Sequence, residues 1–163
     1  MRRLQKGRSS LPDAAELVHG TCVALGQHAA LLRGPSGSGK SDLALRFLFL
    51  ARRGPAALEA PTMVADDQVS IRRSGDRILA TAPESIRGQM EVRGLGIVGV
   101  KPAAEAEIVV IVDMVAPSEV ARLPAEDASV DLVGVKLPLL RLAPFEASAP
   151  IKLALALARY RRP

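Results

Sequence analysis

The stretch that most constrains the fold is a glycine-rich octapeptide, GPSGSGKS, at residues 34–41. It matches the phosphate-binding loop pattern G-x-x-x-x-G-K-[ST] at every fixed position. A short apolar run precedes it at residues 29–32, and residues 42–48 carry apolar side chains at helical spacing. Because a phosphate-binding loop joins a strand to a helix, the sequence predicts an α/β fold with a phosphate site at this junction.

The residue types of the octapeptide suit a nucleotide. Its glycines allow backbone N–H groups to turn toward phosphate oxygens, and the following helix adds the positive end of its dipole. Lys40 is predicted to reach the β and γ phosphates, and Ser41 to bind Mg²⁺ through its hydroxyl. The alternative is a Gly/Ser-rich connection that matches by chance. The predicted nucleotide-binding residues are Gly34, Pro35, Ser36, Gly37, Ser38, Gly39, Lys40 and Ser41.

Length and composition limit the number of domains and the cellular compartment of the protein. A chain of 163 residues predicts one domain at residues 13–163, preceded by a mobile basic arm at residues 1–12. Cys22 is the one cysteine and lies in an apolar run, so we expect a core residue, no internal disulfide and a reducing compartment. The sequence contains neither a span-length apolar run nor an apolar N-terminal signal segment, which predicts a soluble, cytoplasmic protein without membrane contact.

The formal net charge of +5 raises the question of a nucleic-acid partner. Solvated chain ends explain much of this charge, because basic residues cluster at both termini. Three Phe, one Tyr and no Trp leave few rings for stacking against bases. We therefore expect no nucleic-acid partner.

Two hairpins are predicted from short apolar runs. The first joins residues 21–25 to residues 29–33 through Gly26-Gln27, so the strand before the phosphate loop would pair antiparallel with its predecessor. The second joins residues 70–73 to residues 77–80. His19 lies at the start of the first hairpin, and by itself it would be interpreted as a structural or surface histidine.

Two candidate sites supply an acid for Mg²⁺ or for proton transfer. Asp66 and Asp67 end an apolar strand, and two adjacent carboxylates are costly unless a cation or a proton-transfer task lies nearby. Asp113 follows the apolar run at residues 108–112 of a predicted buried strand, which resembles a Walker B strand. The pattern by itself favours Asp113, and exposed turn acids are the alternative for the Asp66/Asp67 pair.

The remaining segments are less regular. Residues 90–100 contain three glycines and are predicted to form a functional loop bracketed by Glu91 and Arg93. Residues 130–142 predict one or two strands broken at Pro138. A last helix is predicted to open within residues 144–148 and to run to about residue 160; its apolar positions are too dense for one stripe, which predicts packing on more than one side.

At this point the motifs resemble a known family. The segments His19-Gly20, GPSGSGKSD, MVADDQV and EVRGLGIVGV occur in the order and approximate spacing of the catalytic domain of HPr kinase/phosphorylase, which phosphorylates a serine of the phosphocarrier HPr. The resemblance covers roughly residues 16–160. It implies a P-loop-containing kinase of the HPr kinase / phosphoenolpyruvate carboxykinase type, with a mixed central sheet, in a short form without the N-terminal domain of longer members.

The resemblance also implies roles for individual residues. The catalytic residues would be His19, Lys40, Asp66 and Asp67, with Asp67 as the proton acceptor in phosphorylation and the proton donor in the reverse reaction. Mg²⁺ would be bound by Ser41 and Glu91, and ATP by the glycine-rich loop. The signature loop would contain Glu91, Arg93, Gly94 and Gly96. On this basis Asp113 would be a strand-end residue.

The implied function is an ATP-dependent protein-serine kinase of the phosphotransferase system that acts on HPr, with phosphate-dependent dephosphorylation in reverse, in a homo-oligomer that would be a hexamer. One departure matters: family members have a late active-site arginine, and residues 142–152 contain none. This puts the reverse reaction in question. The alternatives are a small-molecule P-loop kinase or carboxykinase-like enzyme, and a nucleotide-binding regulator without turnover.

Overall fold

The structure is a computed structural model that describes residues 14–50 and 59–162. These residues form eleven strands and two α-helices. The strands are β1 (Glu16–His19), β2 (Thr21–Leu25), β3 (His28–Arg33), β4 (Pro61–Ala65), β5 (Gln68–Ser74), β6 (Arg77–Thr81), β7 (Gln89–Val92), β8 (Gly96–Gly99), β9 (Ala106–Met114), β10 (Ser129–Leu132) and β11 (Val135–Leu142). The helices are α1 (Lys40–Leu48) and α2 (Ala149–Tyr160). The predicted basic arm at residues 1–12 and the segment after α1 at residues 51–58 lie outside the described residues.

The main sheet is mixed, as predicted. Strands β3 and β11 flank β9 and run parallel to it. On the far side of β3, β2 pairs antiparallel with both β3 and β4, so β4 points the same way as β3. The carboxyl ends of β3, β4, β9 and β11 therefore lie at one edge of the sheet. The first residues of β9 also pair antiparallel with β6. From β6 the sheet continues through β5 to β1, and each of these pairs is antiparallel.

The central strand β9 is apolar along almost its whole length, because both of its faces are buried. The two helices cover one face, where Leu43 and Phe47 of α1 pack with Leu153 and Leu157 of α2. Strand residues, including Ile71 of β5, form the core on the other face. This arrangement holds α1, and with it the phosphate loop, against the end of β3.

The hairpins predicted around Gly26-Gln27 and around residues 74–76 are confirmed as β2–β3 and β5–β6.

The prediction of an irregular loop at residues 90–100 is wrong, since β7 and β8 pair there as a separate two-stranded sheet. Met90 is buried and packs in the core beside α1, whereas Glu91 on the next position is exposed. Alternation of buried and exposed side chains was hidden by the glycines, which occupy the turn and the exposed strand.

Two predictions for the C-terminal third need correction. Pro138 does not break a strand but lies inside β11, opposite Ser129, at the point where β11 leaves β10 and joins β9. Its missing N–H is tolerated at such a change of partner. Helix α2 ends at Tyr160 as predicted. Within residues 14–50 and 59–162 it is covered on one side only, because Ile151 and Leu155 are more than half exposed.

Candidate active site

The glycine-rich loop lies between β3 and α1, as predicted. Helix α1 begins at Lys40, and Gly39 before it has a φ of +90°, a left-handed conformation that favours glycine. A Cβ atom at Gly39 would lie 2.9 Å from Cζ of Phe145 and 3.0 Å from Pro144. Conformation and available space therefore both require glycine at this position.

Lys40, the first residue of α1, directs its side chain back into the glycine-rich loop. Its Nζ atom donates hydrogen bonds to the carbonyl oxygens of Gly34 and Pro35, at 2.8 and 2.9 Å, and the residue is buried. A buried ammonium group is stable only with such partners. The same group provides the positive charge and the donors that phosphate oxygens require at a phosphate-binding loop.

Asp66 joins the loop to the neighbouring strands. Its Oδ1 atom accepts hydrogen bonds from Oγ of Ser41 at 2.9 Å and from Oγ1 of Thr21 at 2.8 Å. Asp66 follows the carboxyl end of β4, whereas Thr21 begins β2 and is fully buried. Because β2 and β4 are antiparallel, the end of one and the start of the other meet at the edge where α1 begins.

The oxygen atoms at this point fit a magnesium ion. Mg²⁺ in nucleotide-binding proteins takes one or two carboxylates, a hydroxyl, substrate phosphates and water. Ser41 and Asp66 provide the hydroxyl and the carboxylate within hydrogen-bond distance of each other. Among the described residues, no cluster of three or more His, Cys, Asp or Glu side chains is arranged as a metal site. Ser41 and Asp66 could therefore hold such an ion together with phosphate oxygens and water.

Asp67 faces a different neighbour from Asp66. Its Oδ1 atom lies 3.3 Å from Nδ1 of His19, and both side chains are more than half exposed. Its carbonyl oxygen accepts a hydrogen bond from the N–H of Gly20 at 3.1 Å. Asp67 also has a φ of +68°, which is uncommon for a residue other than glycine. The turn after β4 thus directs one acid toward Ser41 and presents the other to solvent beside a histidine.

Asp113, which the pattern by itself favoured, has another partner. Its two carboxylate oxygens accept hydrogen bonds from Nε and Nη2 of Arg33, at 2.8 and 3.1 Å. Arg33 is the last residue of β3 and lies opposite Asp113 in the parallel pairing of β3 with β9. The acid in contact with Ser41 is Asp66, whereas Asp113 is paired with Arg33.

The signature segment lies on the β7–β8 hairpin. Glu91 and Arg93 are exposed. Gly94 in the turn and Gly96 at the start of β8 have φ values of +89° and +87°. The hydrogen bonds and ion pairs within the described residues do not join Glu91 to Ser41. A magnesium-binding role for Glu91 therefore rests on the resemblance and not on a contact.

The segment after β11 forms a wall beside the phosphate loop. Pro144 and Phe145 lie against Gly39, in the segment in which the resemblance leads us to expect the family's late arginine. Lys152 is ion-paired with Glu146 and is half-buried. Arg141 lies on β11, where it is exposed. The groups nearest to a Cβ atom at Gly39 are the Phe145 ring and the Pro144 ring.

Sequence reasoning missed two residues of this site, Thr21 and Arg33. Thr21 is the one polar residue of a strand that is otherwise buried and apolar, which is a weak signal for a buried hydrogen bond. Arg33 directly precedes the glycine-rich loop, but nothing in its neighbourhood identifies Asp113, 80 positions away, as its partner.

The comparison with protein families agrees with this geometry. A model of the HPr Serine kinase C-terminal domain matches residues 13–154. The chain belongs to the HPr serine kinase family. The resemblance inferred from the motifs is thereby confirmed, and the P-loop kinase fold with its mixed sheet is the fold of that family.

Two curated proteins that resemble this chain are longer than it is. The HPr kinase/phosphorylase of Chlorobium phaeobacteroides is 35% identical over 139 residues, which are 78% of this chain and 40% of that protein. The HPr kinase/phosphorylase of Caldanaerobacter subterraneus subsp. tengcongensis is 44% identical over 85 residues, 52% of this chain and 25% of that protein. The chain thus spans at most about two fifths of the length of these curated relatives.

A solved structure shares the fold. The Hpr(Ser) kinase/phosphatase from Coxiella burnetii superimposes with a TM-score of 0.68 at 18% identity, over 88% of this chain and 94% of that chain. Within the described part of this HPr serine kinase family member, neither helix is long and apolar enough to cross a membrane.

Proposed function

We propose that this chain is an ATP-dependent protein-serine kinase that phosphorylates an HPr-type phosphocarrier of the phosphotransferase system. The observation that carries the proposal is the contact between Ser41 and Asp66, with the Asp67–His19 pair on the adjacent residue. A phosphate loop, an acid for the metal and a separate exposed acid are the parts that phosphoryl transfer to a hydroxyl requires. Membership of the HPr serine kinase family supports serine as the acceptor.

The loop residues would bind the nucleotide phosphates. Backbone N–H groups between Gly34 and Ser41, together with the amino terminus of α1, would donate to the β and γ phosphate oxygens. Lys40 would exchange its two carbonyl partners for the γ phosphate. Ser41, Asp66 and, by resemblance, Glu91 would hold Mg²⁺, which neutralises phosphate charge when it is bound.

Asp67 would act as the proton acceptor. As the serine hydroxyl of the partner protein attacks the γ phosphorus, its proton passes to the Asp67 carboxylate, the new O–P bond forms, and the bond from the γ phosphorus to the bridging oxygen of ADP breaks. His19 would orient this carboxylate through the contact of 3.3 Å. The exposure of both side chains allows a protein substrate to approach them.

The reverse reaction would use the same carboxylate. Inorganic phosphate in the γ position would attack phosphoserine, forming pyrophosphate, while Asp67 returns the proton to the departing serine oxygen. The segment after β11 presents Phe145 and not an arginine to the loop. We therefore propose the kinase direction as the principal activity and test the reverse separately.

Partner and location follow from this assignment. We propose that HPr docks from solvent at the Asp67–His19 pair, that the protein works in the cytoplasm, and that it forms a homo-oligomer, with a hexamer implied by the resemblance. The exposed side chains of Ile151 and Leu155 on α2 support self-association, because large apolar side chains on one helix face favour burial. Light scattering after gel filtration measures the subunit number.

The deciding experiment is an intact-mass assay of purified HPr mixed with this protein, ATP and Mg²⁺. We expect a gain of one phosphoryl group on a serine, abolished by Lys40→Ala and by Asp67→Ala. Lys136→Ala and Asp127→Ala, at exposed positions outside the site, are matched controls and should keep full activity. The same assay with phosphoserine-HPr and inorganic phosphate tests the reverse reaction by release of pyrophosphate.

The alternatives predict different results. Phosphorylation of a metabolite without any effect on HPr would indicate a small-molecule kinase. ATP binding without phosphorylated product would contradict the proposal and indicate a nucleotide-binding regulator.

A further inference from the structure

A cavity of about 500 Å³ opens beside the glycine-rich loop. Its walls come from the segments that follow the carboxyl ends of the parallel strands β3, β9 and β11. In α/β proteins, ligands bind at the carboxyl ends of such strands. Its lining includes Pro35, Ser38, Ala116, Pro117, Pro144 and Phe145.

The cavity is continuous with the phosphate site. Pro35 and Ser38 belong both to the glycine-rich loop and to the cavity wall. Phe145, which also lines the cavity, lies close to the loop: a Cβ atom at Gly39 would be 2.9 Å from its ring. A ligand whose phosphates occupy the loop would therefore place the group attached to those phosphates next to this cavity.

The chemistry of the walls suits a flat aromatic group. Three proline rings and the Phe145 ring line the cavity, and Phe145 is 71% exposed although it lies in a concave part of the surface. Two backbone donors nearby are already used: Val115 N–H donates to the carbonyl oxygen of Leu142, and Ala116 N–H donates to the carboxylate of Glu119. Binding here would depend on stacking and apolar contact more than on hydrogen bonds.

The wall is held in place by α1. Arg46 donates to the carbonyl oxygens of Pro144 and Glu146, and it is itself hydrogen-bonded to Asp42 one turn earlier. The same helix begins with Lys40. One rigid element therefore fixes the distance between the phosphate loop and the Phe145 ring, which lowers the entropic cost of binding a ligand that contacts both.

We propose that this cavity binds the nucleoside half of the nucleotide, with Phe145 in contact with the base. The proposal rests on the proposed function, because it takes nucleotide phosphates in the glycine-rich loop as its starting point. It assigns to residues 143–146 a binding role in this chain.

Calorimetric titration of the 163-residue protein tests this assignment, with ATP and inorganic tripolyphosphate as the two ligands and Mg²⁺ present throughout. We expect Phe145→Ala to weaken ATP binding about tenfold, in line with the loss of one stacking contact. Tripolyphosphate has no base, so its affinity should change less than about twofold. Phe49→Ala is the matched control, because Phe49 is a similarly exposed ring outside the cavity.

A second variant fills the cavity without touching Phe145. Ala116 is exposed at the cavity wall, and Ala116→Phe should weaken ATP binding while leaving tripolyphosphate binding and thermal stability unchanged. Equal loss of both ligands in Phe145→Ala, or equal affinity of the wild type for ATP and tripolyphosphate, would overturn the inference. Failure of the kinase proposal is distinguishable: ATP would still bind through its nucleoside, but HPr would gain no phosphate.

Discussion

Asp66 Oδ1 accepts a hydrogen bond from Ser41 Oγ at 2.9 Å, although the two residues are 25 positions apart in the chain. This contact selects one acid from three candidates and separates the roles of two adjacent carboxylates. Asp66 lies next to the hydroxyl expected to bind the metal, whereas Asp67 lies beside His19. The predictions below test this division of roles and the contacts that support it.

Asp66→Asn keeps the shape of the side chain and removes its charge. We expect the Mg²⁺-dependent part of ATP affinity to fall about tenfold and the kinase rate to fall about 100-fold, because a metal-orienting carboxylate is lost. Titrations of ATP with and without Mg²⁺ measure the effect. A variant that kept the full Mg²⁺ dependence of the wild type would show that Asp66 does not hold the ion.

Asp67→Asn should separate chemistry from binding. Loss of a general base slows proton transfer by roughly 10²- to 10⁴-fold, while the nucleotide contacts of the loop are unchanged. We therefore expect the rate of HPr phosphorylation to fall by that factor and the Kd for ATP to change less than about twofold. A large loss of ATP affinity would argue that Asp67, and not Asp66, binds the metal.

Thr21→Val removes one of the two donors to Asp66 and preserves the shape of a buried side chain. The carboxylate then loses a hydrogen bond, and a hydrogen bond to a charged group contributes about 1.5–3 kcal/mol. We expect the free energy of unfolding in urea to fall by about 1–2 kcal/mol. Thr21→Ser retains the hydroxyl and is the control; if both variants were equally stable, the hydrogen bond would have no energetic role.

Asp113→Asn tests the acid that the Walker B-like pattern favoured. Its partner Arg33 is about one third exposed, so loss of the ion pair should cost at most about 1 kcal/mol of stability. Since Asp113 contacts Arg33 and not Ser41, we expect HPr phosphorylation to stay within about threefold of the wild-type rate. A 100-fold loss of rate with an intact fold would make Asp113 the metal-orienting acid.

Burial raises the pKa of the Cys22 thiol above its ordinary value, because desolvation disfavours the thiolate. A raised pKa in the folded state means that stability is complete below the thiol's unfolded pKa and declines as the pH rises above it. We expect the native protein to resist a thiol reagent at pH 8 and to react with it fully in denaturant. Rapid labelling of the native protein would show that the β2 strand opens readily.

Much of the fold was predictable from local patterns. The glycine-rich loop, the β2–β3 hairpin and the buried strand β9 each have a signal within about ten residues, because backbone conformation and side-chain alternation are local properties. The β7–β8 hairpin was missed, since its glycines obscure the alternation between Met90, which is buried, and Glu91, which is exposed.

The site was only partly predictable, because its residues come from segments that are distant in the chain. Sequence identified Lys40 and Ser41 in the loop, and it identified Asp66, Asp67 and Asp113 as acids that end apolar strands. The β9 pattern favoured Asp113 and the family resemblance favoured Asp66 and Asp67. Local sequence could not decide between them, because a strand-end carboxylate has a similar local signal whichever strand it ends.

The sequence by itself determined the phosphate loop, its flanking strand and helix, and the set of candidate acids. Only the tertiary structure decided that Asp66 contacts Ser41 and that Asp113 pairs with Arg33. The physical reason is strand order: β2 lies antiparallel between β3 and β4, which places the carboxyl end of β4 at the edge where α1 begins. Strand order depends on contacts between distant segments, and residue periodicity contains no information about those contacts.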